Sequence, residues 1–244
     1  GILTQQDIQN SIKTSEGMIA LLFGGMVVAR TLAPTGIFDK VSTLLLRATK
    51  GSGKRFLLLL IALIAPICAF LPNATAVILV APIIIRVAIA LEVDFVGPMI
   101  LTAIISNSAG LLTLVGDPAT YLVGSSIGMT FTQYLQKVSL GGLLSLLVLI
   151  PLLPRVMPDV WNVQRVLPAD LPSEPLKRPV FCAAALAVLG LMIALFIFGE
   201  DLPTHVVPPG VAIVAASIAL LVIYSMKVEP VEKVLQDVDW KTLI

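Results

Sequence analysis

The chain has 244 residues, of which 57% are apolar and only 13% charged, with a formal net charge of +1. A soluble domain carries roughly a quarter charged residues, so this composition cannot coat a water-facing surface and reads as an all-α integral membrane protein. The near-neutral charge and the lack of any long basic block exclude a nucleic-acid partner.

Cys68 and Cys182 both lie in apolar runs, form no metal-ligand spacing and read as membrane-buried thiols. A spanning helix needs about 20 apolar residues. In chain order the apolar stretches are 17–33, 55–91, 95–126, 138–154, 179–199 and 206–226. Between them, 34–54 carries charge at helical intervals and reads as an interfacial helix, and 155–178 reads as a loop. The first glycine pair, Gly24-Gly25, is read as close helix packing.

Two stretches are irregular. Residues 55–91 are interrupted by Leu71-Pro72-Asn73-Ala74, leaving two arms slightly short for full crossings, so a re-entrant helical hairpin is expected. Residues 95–126 are too long for one span and contain Ser106-Asn107-Ser108-Ala109-Gly110 and Thr113-Leu114-Val115-Gly116-Asp117-Pro118. They read as one crossing built from two half-helices. With the N-terminus outside and 95–126 as one crossing, twelve of the 16 basic residues fall inside and only Lys13 and Lys137 outside, whether the hairpin is re-entrant or two true spans. Arg30, Arg86 and Asp117 remain at membrane depth. The two arginines lie near helix ends and are read as snorkelling.

Unwound backbone is tolerated in a bilayer only where protein buries it or it lines a wet cavity. Two interruptions in one chain therefore mark a site. Half-helix N-termini suit an anion, and half-helix C-termini and free carbonyls suit a small cation. Asn73 is expected to cap the second hairpin arm, turning the amides of Ala74, Thr75 and Ala76 toward a ligand, and Asp117 to cap the second half-helix with Pro118 behind it. The candidate substrate residues are Asn73, Ala74, Thr75, Asn107, Ser108 and Thr113. The candidate ion residues, for Na⁺ or H⁺ as the coupling ion, are Asn73, Ser106, Asn107, Gly110, Gly116 and Asp117. No organic cofactor and no metal beyond Na⁺ are expected. Lys50-Gly51-Ser52-Gly53-Lys54-Arg55 lacks the spacing of a phosphate loop.

The run Ala69-Phe70-Leu71-Pro72-Asn73-Ala74-Thr75-Ala76-Val77 with Ala81-Pro82 resembles the first hairpin of the arsenite permease and P-protein group. That group belongs to the superfamily that also holds citrate and sodium-coupled dicarboxylate carriers. Thr113-Leu114-Val115-Gly116-Asp117-Pro118, the downstream Gly124-Ser125-Ser126-Ile127-Gly128-Met129-Thr130-Phe131, and Thr35-Gly36-Ile37-Phe38 are similar to it as well. The resemblance covers most of 17–154. It implies a homodimeric secondary carrier of two inverted repeats, each with a scaffold part and a moving part.

Two departures stand out. Pro72 occupies the place where the group often has an acid, and Ala119-Thr120 follow Gly116-Asp117-Pro118 where an Asn often follows. The missing carboxylate leans toward anion transport. Residues 1–154 are then the first repeat, 155–178 a cytoplasmic loop, 179–226 two further spans and 227–244 the lead-in to a second repeat, which would be supplied in cis or by a separate chain. The expected function is a cation-coupled permease for a small anion or oxyanion in a bacterial plasma membrane. The alternatives are a Na⁺/H⁺ antiporter using Asp117 and a channel-like or non-transporting scaffold. No Ser/His, paired-Asp or zinc-ligand set favours an enzyme.

Overall fold

The structure, a computed structural model, describes residues 5–167, 175–203 and 205–240, with side chains described from residue 15 onward. Lys13, Lys241 and part of the 155–178 loop therefore lie outside the described side chains. Among the described residues the fold is helical throughout, with one isolated bridge between Ser52 and Gln164. The helices are α1 (Gln5–Leu32), α2 (Ile37–Thr49), α3 (Gly53–Cys68), α4 (Asn73–Ala90), α5 (Val96–Gly110), α6 (Pro118–Ser126), α7 (Phe131–Lys137), α8 (Ser139–Val156), α9 (Pro158–Trp161), α10 (Pro179–Phe198), α11 (Pro208–Ser225) and α12 (Val231–Gln236).

The boundaries follow from local chemistry. Ser52 caps α3, accepting from the Arg55 amide, and Thr130 with Gln133 forms a reciprocal capping box on α7. Proline opens α6, α10 and α11, where its missing N–H costs nothing. Among the described residues five segments are long and apolar enough to cross a membrane: Ser15–Thr35, Asn73–Ala90, Ser139–Val156, Pro179–Asp201 and Pro208–Ser225. At 16 and 15 residues, α3 and α5 are shorter. A rise of 1.5 Å per residue makes them roughly 22–24 Å long, against about 30 Å of hydrocarbon. Ile78, Ile89, Val148 and Leu221 stand exposed around the outside, as lipid-facing residues do.

Beside a small cluster of Phe181, Ile223 and Val234, the helices pack into two large apolar cores. One joins α2, α3, α4, α5, α8 and α9 around Leu45, Phe56, Leu60, Ile64, Val80, Ile84, Ile105 and Leu146. The other joins α1, α10 and α11 around Val27, Val28, Met192, Phe196, Val211 and Ala215. Leu71, Leu114 and Val115, from the two non-helical turns, belong to the second core, and Ile67 packs against both. The glycine pair on α1 is divided between neighbours. Gly24 faces the Ala212 backbone of α11 with no room for a Cβ, while Gly25 faces Pro72.

Polar contacts fasten the ends. Arg30 pairs with Asp237 at 2.5 Å and Glu229 at 3.4 Å, Lys177 with Asp39 at 3.0 Å, and Arg165 with Glu92 at 3.1 Å. At the other end, Glu200 Oε2 accepts from the Phe131 amide at 2.9 Å. Each contact joins segments that the charge count assigns to one side. Arg30 corrects the snorkelling expectation, because two carboxylates hold its guanidinium.

Candidate ion and substrate site

The hairpin turn spans Ala69 to Pro72. Proline has no N–H, so the Cys68 carbonyl four residues earlier loses the donor that a continuing helix would offer. Pro72, with φ −54° and ψ 133°, is the N-cap residue of α4. This corrects the expectation for Asn73, which is the first helical residue and makes no cap. The Ala76 amide is also withdrawn from any ligand, since it donates to the Pro72 carbonyl at 3.0 Å. The amides of Asn73, Ala74 and Thr75 remain without intrahelical acceptors. Ala74 is exposed and Thr75 half-buried.

The second interruption runs from the end of α5 at Gly110 to Pro118. Asp117 sits in extended backbone and caps α6, Oδ1 accepting from the Ala119 amide at 2.8 Å. Thr120 Oγ1 donates to the Asp117 carbonyl at 2.7 Å, and Thr113 Oγ1 donates to the Ala69 carbonyl of the hairpin turn. Asn73 Nδ2 donates to Asp117 Oδ2 at 2.9 Å, so one carboxylate joins the N-termini of α4 and α6. Both positive helix ends favour that negative charge.

The C-terminal ends of α3 and α5 meet at the same place. A Cβ on Gly116 would lie 2.8 Å from the Gly110 carbonyl oxygen and 2.9 Å from that of Cys68, so only glycine fits. Among the described residues neither carbonyl receives a hydrogen bond. Asn73 Oδ1 is buried without a partner and lies beside Gly110. The junction thus offers two kinds of group within a few ångströms: free amides that suit an anion, and unpaired oxygens that suit a small cation.

Asn73, Gly110, Thr113, Gly116 and Asp117 converge here. Ser106, Asn107 and Ser108 do not. Ser106 is buried and donates back to the Ala103 carbonyl at 2.9 Å, Ser108 accepts from Ser145 of α8 at 3.0 Å, and Asn107 is exposed on α5. Sequence reasoning missed the Ala69 carbonyl and Thr120. The signal for Thr120 was its place three residues after the capping Asp117. It also missed the seating of Pro72 on α1, where a Cβ on Gly25 would come within 2.7 Å of Pro72 Cδ. A narrow cavity on that side is lined by Met18, Leu21, Gly25, Pro72, Asp117, Tyr121 and Phe196.

Two non-helical turns that meet among apolar helices make a polar junction of the kind that membrane transporters use. The chain belongs to the citrate transporter family, which it matches over residues 1–244. It is 40% identical over 243 residues to an uncharacterized transporter of Synechocystis, covering 100% of this chain and 54% of that protein. It is 29% identical over 249 residues to an uncharacterized transporter of Mycobacterium tuberculosis, covering 100% of this chain and 56% of that protein. The human P protein is 31% identical over 161 residues, 64% of this chain and 19% of that protein. That match bears out the resemblance read from the hairpin and the Gly-Asp-Pro element. The chain spans about half the length of the curated bacterial transporters it matches. The family and the apolar helices make it a multi-pass integral membrane protein.

Proposed function

We propose that the chain forms one half of a cation-coupled secondary carrier for a small anion, working by alternating access as a permease and not as an enzyme. The observation that carries this reading is the 2.9 Å bond between Asn73 and Asp117, which brings two helix interruptions together. Gly25 is the middle residue of the Ser15–Thr35 span, and Pro72 packs on it. That contact supports a hairpin tip at mid-membrane depth, and so a re-entrant hairpin, although α4 alone is long enough to cross. The non-helical 111–117 segment at the same depth supports a broken α5–α6 crossing. A second repeat, in cis or on a separate chain, would supply the opposite wall, and the assembly would be a homodimer.

The family's description makes a carboxylate the first anion to test, ahead of arsenite and sulfate-like oxyanions. The cation, Na⁺ or H⁺, would use Asp117, Asn73 Oδ1 and the free Cys68 and Gly110 carbonyls. The test is uptake into proteoliposomes, with substrate-dependent thermal stability alongside. A ligand at a hundred times its dissociation constant stabilises the fold by about 2.7 kcal/mol. Asn73→Ala should sharply reduce both the uptake and the ligand-induced shift while the protein still folds. Unchanged uptake would sink the assignment. A second reading, Na⁺/H⁺ antiport through Asp117, rests on its being the carboxylate at the junction. It requires cation-driven proton flux that persists without any anion substrate.

A further inference from the structure

At the base of the hairpin lies a set of cations that the transport site does not use. Residues 40–55 hold five basic residues and no acid. On α2, Ser42, Thr43, Leu45, Leu46 and Thr49 are buried, and the outward stripe is Lys40, Leu44 and Arg47 at the i, i+4, i+7 spacing of one helix face. Leu44 is 54% exposed between the two cations. Lys50, Lys54 and Arg55, all exposed, continue the stripe across the turn into α3. Lys54 Nζ stands 5.3 Å from the centroid of the Trp161 ring, an aromatic of the type that gathers at the lipid headgroup level. Two nearby acids are already taken, Asp39 by Lys177 and Glu92 by Arg165.

The backbone of this turn does not make an anion cradle. Gly51 N donates to Thr49 Oγ1, Gly53 N to the Val163 carbonyl and Arg55 N to Ser52 Oγ. Recognition falls to the side chains. An apolar residue flanked by cations on an amphipathic helix is the pattern that lies in a membrane surface, the leucine among acyl chains and the cations at phosphates.

We propose that Lys40, Leu44, Lys50, Lys54 and Arg55 form a seat for anionic phospholipid headgroups at the base of the hairpin. The inference rests on the membrane location and not on the transport reading, so it stands or falls separately. The experiment measures the melting temperature of the purified protein in neutral phosphatidylcholine micelles and in micelles doped with phosphatidylglycerol. Native mass spectrometry counts the retained lipid.

The expected result is a rise of about 2–4 °C with phosphatidylglycerol, the size that one or a few surface cations supply. The rise and the retained lipid should both disappear in K50Q/K54Q/R55Q. If that variant fails to fold, K40Q/K50Q and a salt series on the wild type replace it, the rise shrinking as ionic strength increases. Equal stability in both lipids, a rise indifferent to salt, or full retention in a folded variant would overturn the proposal. A matching rise from inorganic phosphate in neutral micelles would also overturn it, in favour of a soluble-anion site.

Discussion

Pro72 lies against Gly25 with its ring so close that a Cβ on the glycine would come within 2.7 Å of Pro72 Cδ and 3.0 Å of Cγ. The hairpin tip therefore rests on the middle of the Ser15–Thr35 span, and the absence of a side chain at Gly25 sets how near it comes. A proline ring has little freedom to move aside, so the tip or α1 must shift if that space is filled. Gly25→Ala is expected to destabilise the protein by about 1–3 kcal/mol and to reduce transport. Thermal unfolding and uptake in the same preparation check this. The neighbouring Gly24→Ala should cost stability through α11 instead, because Gly24 faces Ala212.

Asn73 and Asp117 can be separated by substitution. Asn73→Ala removes the donor to Asp117 Oδ2 and leaves a half-buried carboxylate short of one partner. A loss of about 1–3 kcal/mol is expected, with loss of ligand-induced stabilisation. Asn73→Asp should be worse than Asn73→Ala for anion uptake, because it places a second negative charge against the first. Equal uptake by the two variants would show that charge at this point is irrelevant to the substrate.

Asp117→Asn keeps a good N-cap, since the two residues cap helices about equally well. The α6 terminus should survive, with a stability change of about 1 kcal/mol or less. Coupling should not survive if the carboxylate carries the cation or proton. The measurement is uptake as a function of Na⁺ and of pH. Wild-type dependence on both in the variant would remove Asp117 from the coupling step.

Arg30 is only 20% exposed and Glu229 11%, while Asp237 is 42% exposed. Arg30→Gln therefore leaves Glu229, the more buried acid, with Lys233 at 3.6 Å as its remaining partner. A destabilisation of about 1–3 kcal/mol is expected, and Glu229→Gln in the same background should recover part of it by removing a buried charge that only Lys233 then offsets. Melting temperatures of the single and double variants decide this. Additive losses would show that the two side chains do not act as a pair.

Much of this arrangement was legible in the residues. Proline followed by a polar residue inside an apolar run located the turn between α3 and α4, and Gly116-Asp117-Pro118 located the start of α6 and its cap. Local rules failed where the partner is distant in sequence. Asn73 looks like a cap because Asn caps helices, but Pro72 already occupies that place and frees the amide for Asp117, 44 residues away. Ser106, Asn107 and Ser108 look like one polar cluster in a line of text. On a helix, adjacent residues point about 100° apart, so one folds back on its own turn, one meets α8 and one faces outward. Arg30 was misread for a similar reason, since its carboxylates come from the far end of the chain.

The 160–165 segment grips both feet of the hairpin. Val163 and Arg165 bond the backbone of Gly53 and Gly51 where α3 begins, and Arg165 also pairs with Glu92 just beyond α4. The feet are thus held by one short stretch of chain, separate from the contacts that seat the tip on α1. A single proteolytic cut between α9 and α10 that released this segment would loosen the start of α3 and the end of α4 together, and the hairpin would lose its anchorage before either helix lost its own hydrogen bonds.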